Sequence, residues 1–152
     1  QYGHQAGDAV LTGVCDLFRH HLRHDDLLVR WGGEEFAAIL PDTGLEEAAA
    51  VAERVRGSLA DARFTQKGIC MSKPMSAESN AARPDSIATD MNFHGIAITG
   101  SFGVACVRPD DTEKTIMGRA DRLMYLAKAM GRNRVIWKVE SEECDISEEQ
   151  AI

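Results

Sequence analysis

Residues 27–40 read LLVRWGGEEFAAIL, with an apolar run on either side of Gly32, Gly33, Glu34 and Glu35. Apolar runs around a short glycine-containing turn predict a β-hairpin, which Pro41 ends. The glycines let a ligand approach closely because no Cβ intervenes, and the two carboxylates are hard oxygen ligands suited to Mg²⁺. The turn has the parts needed to hold a nucleotide triphosphate and its metal, although taken alone it is more often only a charged hairpin.

Helices are predicted on both sides of this hairpin. Asp8 precedes apolar residues spaced by three and four as far as Leu22, which predicts an amphipathic helix with Asp8 as its N-cap. Thr43 and Glu46 form a capping-box pattern at the start of an alanine-rich helix that extends to about Leu59.

The second half of the chain repeats this alternation of strand and helix. Gly95–Val107 alternates as a strand does, Thr112 caps a helix that ends at Gly131, and Val135–Val139 forms a short last strand. The whole order predicts an α/β (α+β) sandwich, with a mostly antiparallel central sheet flanked by helices.

Two segments depart from the pattern. Residues 65–94 hold two prolines and many Ser, Asn and Asp residues without a sustained period, which predicts an inserted loop. Residues 140–149 carry six acids and predict a solvated tail. We therefore expect one domain over residues 1–139 and an acidic C-terminal tail over residues 140–152.

Charge and composition narrow the class of protein. The 152 residues contain 17 Lys and Arg against 24 Asp and Glu, a net charge of −7 that argues against nucleic acid as the partner. No apolar stretch approaches the ~20 residues of a membrane span, and no signal peptide opens the chain. The four cysteines lack CxxC spacing. We expect a cytoplasmic domain with buried, reduced thiols, and the start at Gln1 leaves room for a preceding membrane or sensor segment.

The pentapeptide Gly32–Phe36 resembles the signature of the GGDEF family, the diguanylate cyclases, in its GGEEF form. Three more blocks match in order and spacing: GHQAGD at residues 3–8 resembles the GHxxGD block, SFGVA at 101–105 the S-x-G-x-A strand, and residues 120–135 the AD…LY.AK..GRNRV block. The resemblance covers about Gln1 to Val135, apart from the loop.

The resemblance implies a palm-like nucleotidyl cyclase fold and an enzyme. Two GTP molecules, one in each domain of an antiparallel homodimer, would condense to cyclic di-GMP and two pyrophosphates in the presence of Mg²⁺ or Mn²⁺. Each 3′-hydroxyl would attack the α-phosphate of the other GTP. A sensor domain or a partner protein would regulate the reaction.

The resemblance also assigns roles at the hairpin. Glu34 matches the acidic third position of the motif, and is the expected Mg²⁺ ligand and a candidate acceptor of the 3′-hydroxyl proton. Gly32 and Gly33 would let the turn lie against the nucleotide. Glu35, the second catalytic candidate, is placed near the site, with a solvated hairpin carboxylate as the alternative.

Other elements supply the remaining substrate-binding candidates. Asp8 matches the carboxylate that reads guanine, since it accepts from N1–H and N2–H₂, which adenine does not offer. Its alternative role is the N-cap. Lys128 and Arg132, four residues apart, match positions that reach the β- and γ-phosphates, and the alternative is a solvated basic face. His4 belongs to the matching Gly-His block, and its alternative role is purely structural.

A product-inhibition site is the last feature implied. The family places an R-x-x-D motif five residues before the Gly-Gly pair, and Arg23 and Asp26 fit that register. Arginine can stack on a guanine face and donate to it, while aspartate accepts from its N1–H and N2–H₂. Arg54 matches a second arginine supplied by a neighbouring domain. The alternative is a surface ion pair.

The chain departs from the family pattern at its start. The family's domain begins with a strand and a helix start that carry a metal-binding Asp, a Lys and a guanine-reading Asn, and this chain starts after them. We expect the chain to be a fragment; the alternative is a natural or engineered truncation, which would be inactive and poorly folded. Three hypotheses remain: an active cyclase, an inactive GGDEF domain that binds cyclic di-GMP through Arg23 and Asp26, and another nucleotidyl cyclase, which Asp8 disfavours.

Overall fold

A computed structural model describes residues 4–65, 68–71, 87–88 and 95–138. Three helices and seven strands form in this part of the chain. Their bounds are α1 His4–His21, β1 Leu27–Gly32, β2 Glu35–Ile39, α2 Leu45–Asp61, β3 Ala62–Thr65, β4 Gly68–Met71, β5 Ile87–Ala88, β6 Phe102–Gly103, α3 Glu113–Ala129 and β7 Val135–Ile136.

The strands of the described residues form three small sheets, β1-β2, β3-β4-β5 and β6-β7. The predicted hairpin is β1-β2, antiparallel, with Leu27 opposite Ile39 and Gly32 opposite Glu35. Strands β3 and β4 are antiparallel, whereas β4-β5 and β6-β7 are parallel pairs. Helices and sheets pack together, so the α+β class is confirmed.

The core lies between α1, α2 and the β3-β4 hairpin. Phe18 of α1 connects it to the other strands, because its ring centroid is 5.8 Å from that of Phe36 and 6.2 Å from that of Phe102. Gly13 lets α1 approach β3, since a Cβ there would lie 2.7 Å from Cδ1 of Phe64. The buried cluster consists of Val14, Leu17, Phe18, Val55, Leu59, Ala62, Phe64 and Ile69.

Two predicted helix starts are wrong. Helix α1 begins at His4, so Asp8 is an exposed residue inside the helix rather than its N-cap. Helix α2 has Gly44 as its N-cap, with no side-chain cap. The box of Thr43 with Glu46 does not form because the Thr43 hydroxyl donates to the Pro41 carbonyl at 2.8 Å.

The limits of α3 agree with the prediction. Thr112 is the N-cap, and its side chain and that of Thr115 form a reciprocal capping box. Gly131 follows the C-cap residue Met130 with a φ of +108°, a left-handed conformation that glycine adopts at low cost.

The prediction of a loop over residues 65–94 is wrong in two places. At its N-terminal end β3 and β4 pair, and Ile69 is only 2% exposed because it packs into the core. Further on, Ile87–Ala88 forms β5, which pairs with β4. Residues 66–67, 72–86 and 89–94 lie outside the described residues, as do 139–152, including the predicted tail.

The predicted strand over 95–107 is broken into short pieces. Ile96 forms a bridge with Phe64, whereas β6 pairs with β7. One stretch of chain thus serves two different sheets. Strand β7 is likewise limited to two residues.

The surface of the described part holds several apolar side chains. Leu27, Val29, Trp31 and Ile39 of the hairpin are about half exposed. Cys106 is exposed and Cys15 half-buried, so the expectation of buried thiols is wrong for Cys106. None of the helices found in the described residues has the length and apolar character needed to cross a membrane.

Candidate functional site

The hairpin tip presents its acidic pair to solvent. Gly33 has a φ of +52°, and Arg30 Nε donates to its carbonyl at 2.8 Å, which holds the turn. A Cβ at Gly32 would meet no atom within 4 Å, so packing within the described residues does not explain the absence of a side chain there. Glu34 is exposed at the tip, where its carboxylate is free to meet a ligand.

Glu35 and Lys128 bring the hairpin tip to the end of α3. Lys128 Nζ lies 3.2 Å from Glu35 Oε1, and the two side chains are 40% and 45% exposed. The pair joins residues 93 apart in sequence. It places an amine beside the carboxylate of Glu35, which follows Glu34 directly in the chain, a combination that suits a ligand carrying phosphates and a metal ion.

Arg132 lies just beyond the same end of α3. Its N–H donates to the Ala127 carbonyl at 2.9 Å, and its φ of +61° is left-handed. The last carbonyls of a helix favour nearby cations, so Lys128 and Arg132 are favourably placed there. Both side chains are at least partly exposed.

The two candidates on α1 stand apart from this cluster. Asp8 is exposed, and within the described residues no hydrogen bond or ion pair joins its carboxylate or the Arg132 guanidinium to the hairpin tip. His4 is the first residue of α1, but its side chain lies outside the described part.

Arg23 and Asp26 form a turn between α1 and β1. The N–H of Arg23 donates to Asp26 Oδ2 at 2.7 Å, and the N–H of Asp26 to the Arg23 carbonyl at 3.2 Å. The Arg23 guanidinium pairs with Glu47 on α2 and stays 61% exposed. Arg23 is thus in a surface ion pair, but with Glu47 rather than with Asp26, and most of the arginine stays accessible.

Arg54 lies close to the same end of α1. Burial, together with the nearby charges of His20 and Arg54, lowers the pKa of His21 to about 4. His21 Nε2 is 2.8 Å from Ser58 Oγ, and this hydrogen bond joins α1 to α2 near Arg54.

The donor set at the hairpin tip fits a magnesium ion. Among the described residues no cluster of three or more metal-ligating side chains forms. Mg²⁺ nevertheless needs only one or two protein carboxylates when substrate phosphates and water supply its other oxygens. Glu34 and Glu35 meet this requirement, and Glu34 is the more available because Glu35 is paired with Lys128.

Sequence reasoning missed the partners of the candidate residues. Neither the Glu35 partner of Lys128 nor the Glu47 partner of Arg23 is signalled by spacing, because these contacts span 93 and 24 residues. The contact of Lys128 with Glu35 is evident only from the tertiary structure, in which the end of α3 lies beside the hairpin.

Fold and site together define a mixed α+β domain with an acidic glycine hairpin next to a basic helix end. The family model described as diguanylate cyclase, GGDEF domain, matches residues 1–78, just over half of the chain. The chain belongs to the GGDEF family of diguanylate cyclases, as its motifs indicated.

Individual relatives agree with this assignment. Diguanylate cyclase DgcP of Pseudomonas aeruginosa is 33% identical over 134 residues, which cover 88% of this chain and 16% of that protein. The chain spans a third or less of the length of the first curated relatives that it matches.

Solved structures give the same fold. Diguanylate cyclase SiaD of Pseudomonas aeruginosa, in complex with its activator SiaC, is similar with a TM-score of 0.66 and 31% identity, covering 90% of this chain and 43% of that one. The GGDEF domain of DgcB from Caulobacter crescentus, in complex with cyclic di-GMP, has a TM-score of 0.63 and 30% identity, covering 89% and 66%.

Proposed function

We propose that this chain is the catalytic domain of a diguanylate cyclase that condenses two GTP molecules into cyclic di-GMP and two pyrophosphates. The observation that carries the proposal is the contact of Glu35 with Lys128, which sets a carboxylate of the hairpin tip beside a cation that can bind phosphates. Gly32 supports it, because its open surroundings leave room for a nucleotide.

The reaction requires two bound nucleotides to meet. Each 3′-oxygen forms a bond to the α-phosphorus of the other GTP, the bond from that phosphorus to the bridging oxygen breaks, and pyrophosphate leaves. Glu34 accepts the 3′-hydroxyl proton. Bound at Glu34 and Glu35, Mg²⁺ would neutralise phosphate charge. Most of the acceleration then comes from positioning and charge neutralisation.

Residues away from the hairpin select and hold the substrate. Asp8 reads guanine through N1–H and N2–H₂, and its exposed place inside α1 supports this role because capping no longer occupies its carboxylate. Lys128 and Arg132 bind the β- and γ-phosphates, and His4 adjoins the substrate at the start of α1.

Regulation and assembly complete the proposal. One domain holds one GTP, so the active form is a homodimer with facing sites. Cyclic di-GMP binds at Arg23 and Asp26, with Arg54 added from a neighbouring domain, and holds the two domains apart. A sensor domain or activator protein controls the enzyme in the cytoplasm, as the SiaD complex with its activator suggests by analogy.

An inactive domain that binds cyclic di-GMP is the second candidate. It is favoured by the 61% exposed guanidinium of Arg23 next to an ordered Asp26 turn. This role would need neither Glu34 nor Lys128.

Product analysis separates the two candidates. The intact protein is incubated with Mg²⁺ and with GTP, ATP or an equal mixture, and the products are separated chromatographically. We expect cyclic di-GMP from GTP and no cyclic product from ATP. Unchanged GTP together with tight binding of cyclic di-GMP would support the effector and contradict the cyclase.

A further inference from the structure

The turn after α3 has an unusual backbone. Gly131, Arg132 and Asn133 have φ angles of +108°, +61° and +46°, three left-handed residues in succession. Glycine adopts such angles freely and asparagine tolerates them, but arginine does not favour them. A turn of this kind persists only where surrounding contacts hold it.

Two backbone contacts fix Arg132. Its N–H donates to the Ala127 carbonyl at 2.9 Å, and its own carbonyl accepts from Arg134 Nε at 3.2 Å. The first contact joins the turn to the end of α3, and the Arg134 carbonyl in turn accepts from the Phe102 N–H of β6 at 2.9 Å, so backbone bonds fix both ends of the turn.

Arg56 supplies a side-chain contact to the middle of the turn from α2, a distant element. Its Nη1 donates to Asn133 Oδ1 at 2.9 Å, across 77 residues of sequence. Glu53, one turn earlier on α2, holds the guanidinium through contacts of 2.6 to 2.9 Å to Nε and Nη2. Arg56 is thus oriented before it meets Asn133, and its side chain is only 22% exposed.

We propose that Arg56 and Asn133 are positioning residues that hold Arg132 against the triphosphate of GTP. The inference rests on the proposed function, because it takes Arg132 as a phosphate ligand. Asn133 follows Arg132 directly in the chain. The bond of Asn133 with Arg56 on α2 therefore positions the backbone from which the Arg132 side chain extends. Arg56 itself does not touch the substrate in this account.

Nucleotide affinity provides the test. The dissociation constants of the intact protein are measured for a non-reactive GTP analogue and for GMP, which lacks the β- and γ-phosphates. Arg56→Ala should weaken binding of the analogue by about tenfold, because small displacements of a positioned group carry large penalties, and leave GMP binding unchanged. Equal weakening of both ligands would show a merely structural role and overturn the proposal.

Asn133→Gly sharpens the test because glycine accepts the left-handed angle while removing the amide acceptor. It should weaken binding of the GTP analogue as Arg56→Ala does. The double variant should bind the analogue no more weakly than the weaker-binding of the two single variants. Additive losses would overturn the pairing. Arg19→Ala, an exposed arginine on α1, is the matched control and should bind both ligands normally.

Arg132→Ala distinguishes failure of this inference from failure of the proposed function. Loss of analogue affinity in Arg132→Ala but not in Arg56→Ala overturns only the positioning role. Unchanged affinity in Arg132→Ala removes the phosphate role of Arg132 and overturns the inference, whereas failure of the intact protein to form cyclic di-GMP from GTP overturns the proposed function itself.

Discussion

The ion pair of Glu35 with Lys128 matters through its position rather than its strength. Both side chains are more than a third exposed, and such pairs contribute about 0–1 kcal/mol to stability. The pair joins the hairpin to α3 at the place where the acidic and basic candidates meet. The low strength of the pair agrees with the proposal that Glu35 and Lys128 serve a ligand rather than folding.

His21 should make the stability of the domain depend on pH. Burial, with the nearby charges of His20 and Arg54, lowers its pKa from 6.5 to about 4, so between these pH values the unfolded chain binds a proton that the folded chain excludes. The free energy of unfolding should fall as the pH drops through this window. Urea unfolding at several pH values measures the effect.

Comparison of variants isolates His21 from the carboxylates that also titrate below pH 5. His21→Gln should weaken the dependence of the free energy of unfolding on pH. His24→Gln, a change at an exposed residue, should leave that dependence as in the parent. If the free energy of unfolding falls equally with pH in the parent and in His21→Gln, the role given to His21 is contradicted.

Arg23→Ala should raise the final yield of product without raising the initial rate. Loss of a charge-assisted contact to guanine should weaken binding of cyclic di-GMP by about 5- to 150-fold. Calorimetric titration and progress curves measure the two effects.

Glu47→Gln is the matched control for that experiment, because it breaks the ion pair with Arg23 but keeps the arginine. It should bind cyclic di-GMP at least as well as the parent. If Arg23→Ala retains parental affinity and its progress curves reach the same plateau, the segment is an ordinary surface turn.

The contact between β6 and α3 leaves no room for a side chain at Gly103. A Cβ there would lie 2.2 Å from the Ala120 carbonyl oxygen and 2.3 Å from the Met124 nitrogen, both backbone atoms. Gly103→Ala should therefore destabilise the domain by about 1–3 kcal/mol or more, since the helix must move. Urea unfolding gives the value.

Gly118→Ala makes the same chemical change within α3, where a Cβ meets nothing within 4 Å. It should be neutral or stabilising by up to about 1 kcal/mol, because alanine favours a helix. Similar stabilities for the two variants would refute the close packing of β6 on α3.

Elements marked by a short, contiguous sequence pattern were predicted correctly. The hairpin follows from two apolar runs around glycines, and α3 from Thr112 and Gly131 at its ends. The start of α2 was mispredicted because the Thr43 hydroxyl bonds to Pro41 instead. Strand β4 was missed because its buried Ile69 lies among residues with no sustained period.

The candidate site was predictable as a set of residues but not as an arrangement. Motif spacing singled out Glu34, Lys128 and Arg132 along the chain. The contacts of Lys128 with Glu35 and of Arg56 with Asn133 span 93 and 77 residues, and only tertiary packing brings such residues together. Sequence periodicity carries no information about which distant elements meet.

The central claim is that the hairpin and the end of α3 form a GTP site that makes cyclic di-GMP. The most direct measurement compares the initial rate of cyclic di-GMP formation from GTP and Mg²⁺ by the intact protein and by its Glu34→Gln variant. Glu46→Gln, at an exposed carboxylate on α2, is the control. Urea unfolding should show that both variants keep the parental stability within about 0.5 kcal/mol.

The account predicts a measurable rate for the parent and for Glu46→Gln, and a rate at least about a hundredfold lower for Glu34→Gln, because that residue binds the metal and accepts the proton. An equally stable Glu34→Gln variant that forms cyclic di-GMP at the parental rate would contradict it.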